Sequence, residues 1–246
     1  MEMTGNTILI TGGGSGIGQG LAEALHALGN QVVIAGRRAD VLQKVAAANP
    51  GMATATLDVG DAADIARFAE AILSAHPALN MVIHNAGIMK AEQLADPSFD
   101  TAIAEETIAI NLLGPIRLNA ALLPHLLSQP RAAVATVSSG LAFVPLTATP
   151  TYSATKAAIH SYSQSLRHQL AGTAVEVIEI APPAVATDLM PGHAANPHSM
   201  PLDDYIRETI ALLGQGEKEV LVERVKFLRF AEARGDYDAV FAALNG

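Results

Sequence analysis

The chain has 246 residues, half of them hydrophobic and 16% charged, with no cysteine and no tryptophan. Such a composition excludes disorder, and compact-monomer scaling gives roughly 10,000 Å² of folded surface against about 37,000 Å² unfolded, enough for a core without disulfide or metal staples. Missing cysteine removes thiolate catalysis and cysteine-ligated zinc, and 24 acidic against 15 basic residues, a net charge of −9, argue against nucleic acid or an anionic membrane as the general partner.

No run of about 18 uncharged apolar residues occurs. The most apolar stretch, Ile108 to Leu127, is interrupted by Asn111, Arg117, Asn119 and His125. No Lys or Arg precedes Arg37, so a secretory leader is not expected and the cytoplasm is the expected setting.

Along the chain, short apolar runs alternate with longer amphipathic ones. Asn6 to Ile10 reads as a strand, then a glycine cluster, then a helix from Ile17 to Leu28 that stops at Gly29-Asn30. Val32 to Ala35, Ala53 to Leu57 and Met81 to His84 read as strands, separated by helices at Val41 to Ala48 and Ala62 to Ala75. Thr101 to Leu127 is one long helix or two, with a bend expected at Gly114-Pro115. Ala132 to Val137 is a strand. Thr149-Pro150 reads as an N-cap and first helical position of a helix to about Leu170, followed by a strand at Val175 to Ile180. Pro182 to Met200 is a loop, Leu202 to Leu213 a helix, Glu219 to Val222 a possible seventh strand, and the last twenty residues short helices. Strands alternating with helices of ten or more residues mean βαβ units and a parallel sheet. We therefore expect one α/β domain over residues 1–246, doubly wound around a mostly parallel seven-stranded sheet, with a substrate-loop region at about 183–214.

After the first strand stands Thr11-Gly12-Gly13-Gly14-Ser15-Gly16-Ile17-Gly18, leading into a helix. Backbone N–H groups at a helix start attract a diphosphate, and glycine lets the backbone approach it. The pattern points to a dinucleotide site rather than a merely flexible turn. An NAD site usually carries Asp or Glu at the end of the second strand. Here Gly36 is followed by Arg37 and Arg38, whose guanidiniums suit a 2′-phosphate. NADP(H) is thus the expected cofactor, with NAD(H) left open.

Tyr152 and Lys156 lie four apart at the start of a helix and share a face. The strand before them ends in Ser138-Ser139, where a parallel sheet places its ligands. A phenol with pKa near 10 serves poorly in acid–base work at neutral pH unless a cation favours the phenolate, and Lys156 is the candidate cation. Ser139 can hydrogen-bond a carbonyl oxygen and stabilise charge developing there.

With these residues in view, the chain resembles the short-chain dehydrogenase/reductase family, the branch of about 250 residues with TGxxxGxG and YxxxK motifs. The resemblance runs from Asn6 to Thr187 and rests on Thr11, Gly12, Gly16 and Gly18, Asp58 in Leu57-Asp58-Val59, Asn85-Ala86-Gly87 preceded by His84, and Asn111, Ser139, Tyr152 and Lys156. It implies a Rossmann-type fold and a tetrad in which Tyr152 is the acid–base, Lys156 lowers its pKa and holds the nicotinamide ribose, Ser139 orients the substrate, and Asn111 holds a water in a proton relay. It also implies cofactor contacts from Gly12, Ser15, Gly16, Ile17, Gly18, Arg37, Arg38, Asp58, Val59, Asn85, Ala86, Gly87, Tyr152, Lys156, Pro182, Val185 and Thr187. Two positions depart from the family pattern. Pro183 replaces the usual glycine and stiffens that wall, and Ser15 stands where NADP users often carry a basic residue.

The histidines invite a metal reading, but His193 with His198, and His160 with His168, have no carboxylate at zinc-site spacing, and no metal is expected. Leu189, Met190, His193 and Met200, with Leu141, Phe143 and Val144, suggest an apolar pocket for an uncharged carbonyl or alcohol. The family habit of pairing the two long helices between subunits implies a homodimer or homotetramer. The expected activity is NADP(H)-linked transfer of hydride between nicotinamide and a carbonyl or secondary alcohol. The alternative is an NADP-binding sensor without catalysis. An epimerase or dehydratase of the extended branch fits poorly, with so few residues after Thr187.

Overall fold

Seven strands build one sheet in this computed structural model, which describes residues 2–190 and 192–246 apart from the side chain of His193. The strands are β1 (Thr7–Thr11), β2 (Gln31–Gly36), β3 (Ala53–Thr56), β4 (Leu79–His84), β5 (Ala132–Val137), β6 (Val175–Ile180) and β7 (Glu219–Val220). Their order is β3-β2-β1-β4-β5-β6-β7 and every neighbouring pair is parallel. The order reverses between β1 and β4, and such a switch point opens a crevice outside the strand C-termini.

Helices α1 (Gly16–Ala27), α2 (Ala39–Ala48) and α7 (Leu202–Gly214) belong to one side of the sheet. On the other lie α3 (Ala62–Ala75), α4 (Ala102–Ile108), α5 (Gly114–Ser128) and α6 (Pro150–Gln169). Alternation along each strand feeds the two layers. Ile8 and Ile10 join a core with Leu21, Leu25, Ile34 and Tyr205, whereas Leu9 joins Val33, Phe68, Leu118 and Leu122 on the opposite face. Burial on both faces explains why the strands read as apolar runs. This is a single-domain, Rossmann-like architecture. The chain ends in α8 (Lys226–Arg229), α9 (Ala231–Arg234) and α10 (Tyr237–Asn245), which make a small separate core with Val144.

Most predicted elements stand within a residue or two of the observed ones. The long helical run differs in kind. Instead of bending at Gly114-Pro115, it passes through a π-helical turn at Ala109–Leu113, which puts Ile110 and Asn111 on the buried face. Such turns are rare and gather at functional sites. Ala102–Ser128 is long and apolar enough to cross a membrane by length and composition alone. Here it packs as a core helix, with Leu118, Leu122 and Leu126 fully buried. The loop after β6 is tied down by a bridge between Val185 and Met200, with Ala186 N donating to Met200 O (2.8 Å) and Met200 N to Ala184 O (2.8 Å).

Candidate active site

The switch-point crevice has a volume of about 1140 Å³ and runs from the glycine turn past Tyr152 to the C-terminal helices. It exceeds the roughly 300–1,000 Å³ usual for one small ligand, which leaves room for a dinucleotide and a substrate together. At its head, Gly12 and Gly16 adopt φ values of +69° and +54°, the left-handed region that glycine enters without cost. A Cβ on Gly12 would stand 2.9 Å from Ala86 Cα, so the turn lies directly on the segment after β4. Thr11 organises this junction. Its hydroxyl accepts from both Asn85 N and Ala86 N (3.1 Å each), while Asn85 Nδ2 donates to Thr11 O (3.0 Å) and Gly12 O (3.3 Å). Asn85 thus shapes the turn rather than simply lining it.

Helix α1 begins without a side-chain cap bond and without an acidic residue in its first turn. Its leading N–H groups lack intrahelical acceptors, and Gly16, Ile17 and Gly18 line the crevice, which suits a diphosphate. Arg37 and Arg38, exposed just beyond β2, line the same end. Arg38 Nη2 reaches Ser15 Oγ (3.5 Å), and among the described residues neither guanidinium pairs with a carboxylate. Asp58 is held for its position by donation from Gly60 N to Oδ1 (2.9 Å) and from its own N to Asp64 Oδ2 (2.7 Å). Ile17, Gly18, Val59, Ala86, Gly87, Pro182, Val185 and Thr187 complete the lining. The glycine cradle and the two guanidiniums therefore fit a dinucleotide.

The reacting end is built by β5, the turn after it and α6. Ser139 leaves β5 in extended backbone and accepts from Leu141 N (3.1 Å). Gly140 N donates to Pro182 O (2.8 Å), which holds the ends of β5 and β6 together. Thr149, expected to cap α6, makes no cap bond, and its buried hydroxyl lacks a partner. The cap is Glu92, a buried carboxylate from the loop after β4 that accepts from Thr151 N (2.9 Å) and Thr151 Oγ1 (2.8 Å). No local sequence signal marks Glu92, because its partner is 59 residues away.

Tyr152 and Lys156 are both buried, and Lys156 Nζ stands 5.5 Å from the phenol ring centre while donating to Val137 O (2.8 Å). Burial pushes the Tyr152 pKa up to about 12, although the Ser139 hydroxyl pulls it partly back. Burial also pushes Lys156 down to about 8. Withdrawal from water works against the expected drawing of Tyr152 toward the phenolate by Lys156. Asn111 has a bracing role that spacing did not reveal. Its carboxamide is spent on the Ile88 peptide, accepting from Ile88 N (2.9 Å) and donating to Ile88 O (2.8 Å), with Thr155 Oγ1 at 3.4 Å. It stands behind the wall as a brace between the π turn, the loop after β4 and α6.

Of the expected pocket residues, Leu141 and Leu189 line the crevice. Val144 and Met200 are core instead, and Phe143 packs edge-on against His160. The His193 side chain lies outside the described residues. His84 is buried beneath the site, with its Nε2 on Asn119 Oδ1 (2.7 Å), and burial lowers its pKa to about 4.

One polar cluster escapes sequence spacing altogether. His160 on α6, Glu179 on β6 and Glu219 on β7 bring ligand-type atoms within 4.8 Å of one another, because β6 and β7 set the two carboxylates side by side. This amends the expectation that no carboxylate accompanies the histidines. Each member already has partners: Glu179 takes Ser138 Oγ (2.6 Å) and His160 Nδ1 (2.8 Å), and Glu219 takes Arg229 Nε (2.5 Å). The cluster bridges α6, the sheet and α8.

The profile of the short chain dehydrogenase family matches residues 6–197. "Uncharacterized oxidoreductase DltE" of Bacillus subtilis (strain 168) is 41% identical over 249 residues, spanning 100% of this chain and 98% of that protein. Among solved structures, a short chain dehydrogenase from Burkholderia cenocepacia J2315 in complex with NADP superposes with a TM-score of 0.85 at 26% identity, covering 99% of each chain. A short chain dehydrogenase/reductase from Burkholderia phymatum in complex with NAD gives 0.84 at 20% identity over 98% of this chain and 96% of that one, a likeness of fold alone.

Proposed function

The chain belongs to the short-chain dehydrogenase family, and on that premise we propose that it is an NADP(H)-dependent oxidoreductase acting on an uncharged carbonyl or secondary alcohol, with Tyr152 as the acid–base. The observation that carries this reading is convergence: the glycine turn, the Arg37 and Arg38 guanidiniums and the Ser139, Tyr152 and Lys156 side chains line one crevice. The preference for the phosphorylated dinucleotide rests on Arg37 and Arg38 and on the absence of a carboxylate at the end of β2.

A nicotinamide bound there would supply or take the hydride, and the protein's own residues manage the oxygen. Ser139 donates to the carbonyl oxygen and holds it beside the phenol. A phenol with pKa near 12 is fully protonated at neutral pH, which is the form that gives a proton to a forming alkoxide. Lys156, near 8, carries its proton at neutral pH and adds positive charge where the oxygen becomes negative. This arrangement favours reduction of a carbonyl. The outward Ile108 and Leu127 side chains on the long helical run, both exposed, support pairing of these helices in a homodimer or homotetramer. Sedimentation as a monomer at micromolar concentration would refute that assembly.

Tyr152→Phe tests the central claim. NADPH turnover with a screened set of ketones, aldehydes and quinones is expected to fall by at least about a thousandfold, consistent with loss of a positioned acid, while NADPH binding stays within about twofold. Turnover that survives the substitution removes Tyr152 from the mechanism.

A further inference from the structure

Among the described residues of the seven strands, Glu179 is the only carboxylate that is fully buried. It interrupts the apolar run of β6 between Ile178 and Ile180, which face the opposite layer. Burying a charge without partners is costly, so its partners show what the residue holds. Ser138 Oγ donates to its Oε1 (2.6 Å), and His160 Nδ1 donates to its Oε2 (2.8 Å). We propose that Glu179 is a positioning residue for the reaction: through Ser138 and His160 it sets the separation between Ser139 and the Tyr152–Lys156 pair. The proposal rests on reading the crevice as a carbonyl-reducing site and adds a residue that lies outside its lining.

Spacing on α6 makes the case. Tyr152, Lys156 and His160 recur every fourth residue and share one face of the helix. Across from them run Val137, Ser138 and Ser139 at the end of β5. Lys156 Nζ donates to Val137 O (2.8 Å), and the Ser139 hydroxyl is hydrogen-bonded to Tyr152. Ser138 reaches the third residue, His160, only through the Glu179 carboxylate. Backbone bonds fix this segment against β6 alone, from Ser138 N to Ile180 O (2.9 Å) and from Gly140 N to Pro182 O (2.8 Å). Those bonds lie in the sheet, whereas α6 lies on its face, so side-chain ties decide how far Ser139 stands from the phenol. Thr136 Oγ1 adds one such tie to Ser163 Oγ (2.7 Å) on the side away from the crevice.

The charged groups around Glu179 hold it in place. Glu219 is its neighbour in the β6–β7 register and grips Arg229 through Nε (2.5 Å) and Nη2 (3.3 Å), so the two carboxylates have a cation within the cluster. The same guanidinium lies 4.7 Å from the centre of the Phe143 ring, and that ring meets His160 edge-on at 4.9 Å. Gln164 Nε2 contacts His160 Nε2 (3.0 Å) on the outer side. His160 is thus fixed from three sides, and Glu179 transmits a fixed position rather than a mobile one.

The test uses the full-length protein and three variants. Glu179→Met fills the space but removes both acceptors, Glu179→Gln keeps the volume and one acceptor, and Ser138→Ala cuts the tie from β5. Crystal structures of the parent and Glu179→Met are expected to differ by at least about 0.5 Å in the position of Ser139 relative to α6, the tolerance of a working site. With a carbonyl found by NADPH consumption, Glu179→Met is expected to lower kcat about a hundredfold, as a misplaced group does, while KM and the NADPH Kd stay within about threefold. Glu179→Gln should recover at least about tenfold of that loss. Ser138→Ala should cost about tenfold alone and no more than about twofold further in Glu179→Met, because both act along one path. If Glu179→Met does not fold, Ser138→Ala and Glu179→Gln carry the same comparisons. An unmoved Ser139, an unchanged kcat, an effect on KM alone or additive losses would each overturn the positioning role. A parent that binds NADPH but reduces none of the screened carbonyls defeats the reaction reading instead, and the position of Ser139 in the crystals still decides what Glu179 does.

Discussion

Lys156 is a charge that the fold holds at a cost, and removing it separates its catalytic role from its structural one. Its ammonium is buried, and burial alone brings its pKa from 10.5 to about 8. Between those values the unfolded chain binds a proton that the folded protein does not, so this group makes stability rise with pH from about 8 to about 10.5. At neutral pH the gap corresponds to a penalty of about 3 kcal/mol. Lys156→Met removes that penalty but leaves the Val137 carbonyl without its donor, which costs about 1–3 kcal/mol, so the variant should fold with near-parental stability at neutral pH. The pH dependence is the sharper reading. From about pH 7 to about pH 9.5 the parent should gain about 2 kcal/mol relative to Lys156→Met, because only the parent titrates there. Urea unfolding of both proteins at the two pH values measures the difference, and turnover of the variant should be lost at both. Parallel stability curves, equal within about 0.5 kcal/mol, would refute the buried ammonium.

Two further outcomes are expected. Replacing Arg37 and Arg38 together by Glu should raise the KM for NADPH by about a hundredfold or more, the worth of two charge-assisted contacts, and change the KM for NADH only slightly; equal effects would overturn the assignment of the 2′-phosphate site. His84, with its pKa lowered from 6.5 to about 4, contributes stability that is lost as pH falls through that window, because the unfolded chain takes up the proton first. Between about pH 7.5 and about pH 5 the parent should lose about 2 kcal/mol more than His84→Asn, and equal losses in urea unfolding would show that His84 is hydrated.

Much of the fold was legible in order along the chain, because parallel strands buried on both faces and the helices between them leave local signatures: the apolar run, the amphipathic repeat and the glycine stop. The glycine turn, the Tyr152–Lys156 spacing and the Arg37-Arg38 pair are likewise local, and their chemistry follows from residue type. What was not legible depends on contacts between distant segments. Glu92 caps the helix of Tyr152 where Thr149 stood nearer in sequence, since a buried carboxylate reaching two donors outcompetes a hydroxyl that finds none. The π turn that turns Asn111 inward answers to its bonds with the Ile88 peptide rather than to propensity.

The protonation of the reacting groups belongs to the same class. Sequence puts a lysine four residues from a tyrosine; burial of both raises the pKa of the phenol and lowers that of the ammonium. Sequence alone determined the layered α/β chain, the glycine-rich turn and the candidate reacting side chains, because each is written in neighbouring residues. Only the tertiary structure decided the electrostatics of those side chains and the closing of the crevice by the C-terminal helices, because desolvation and long-range closure exist only once distant segments have met.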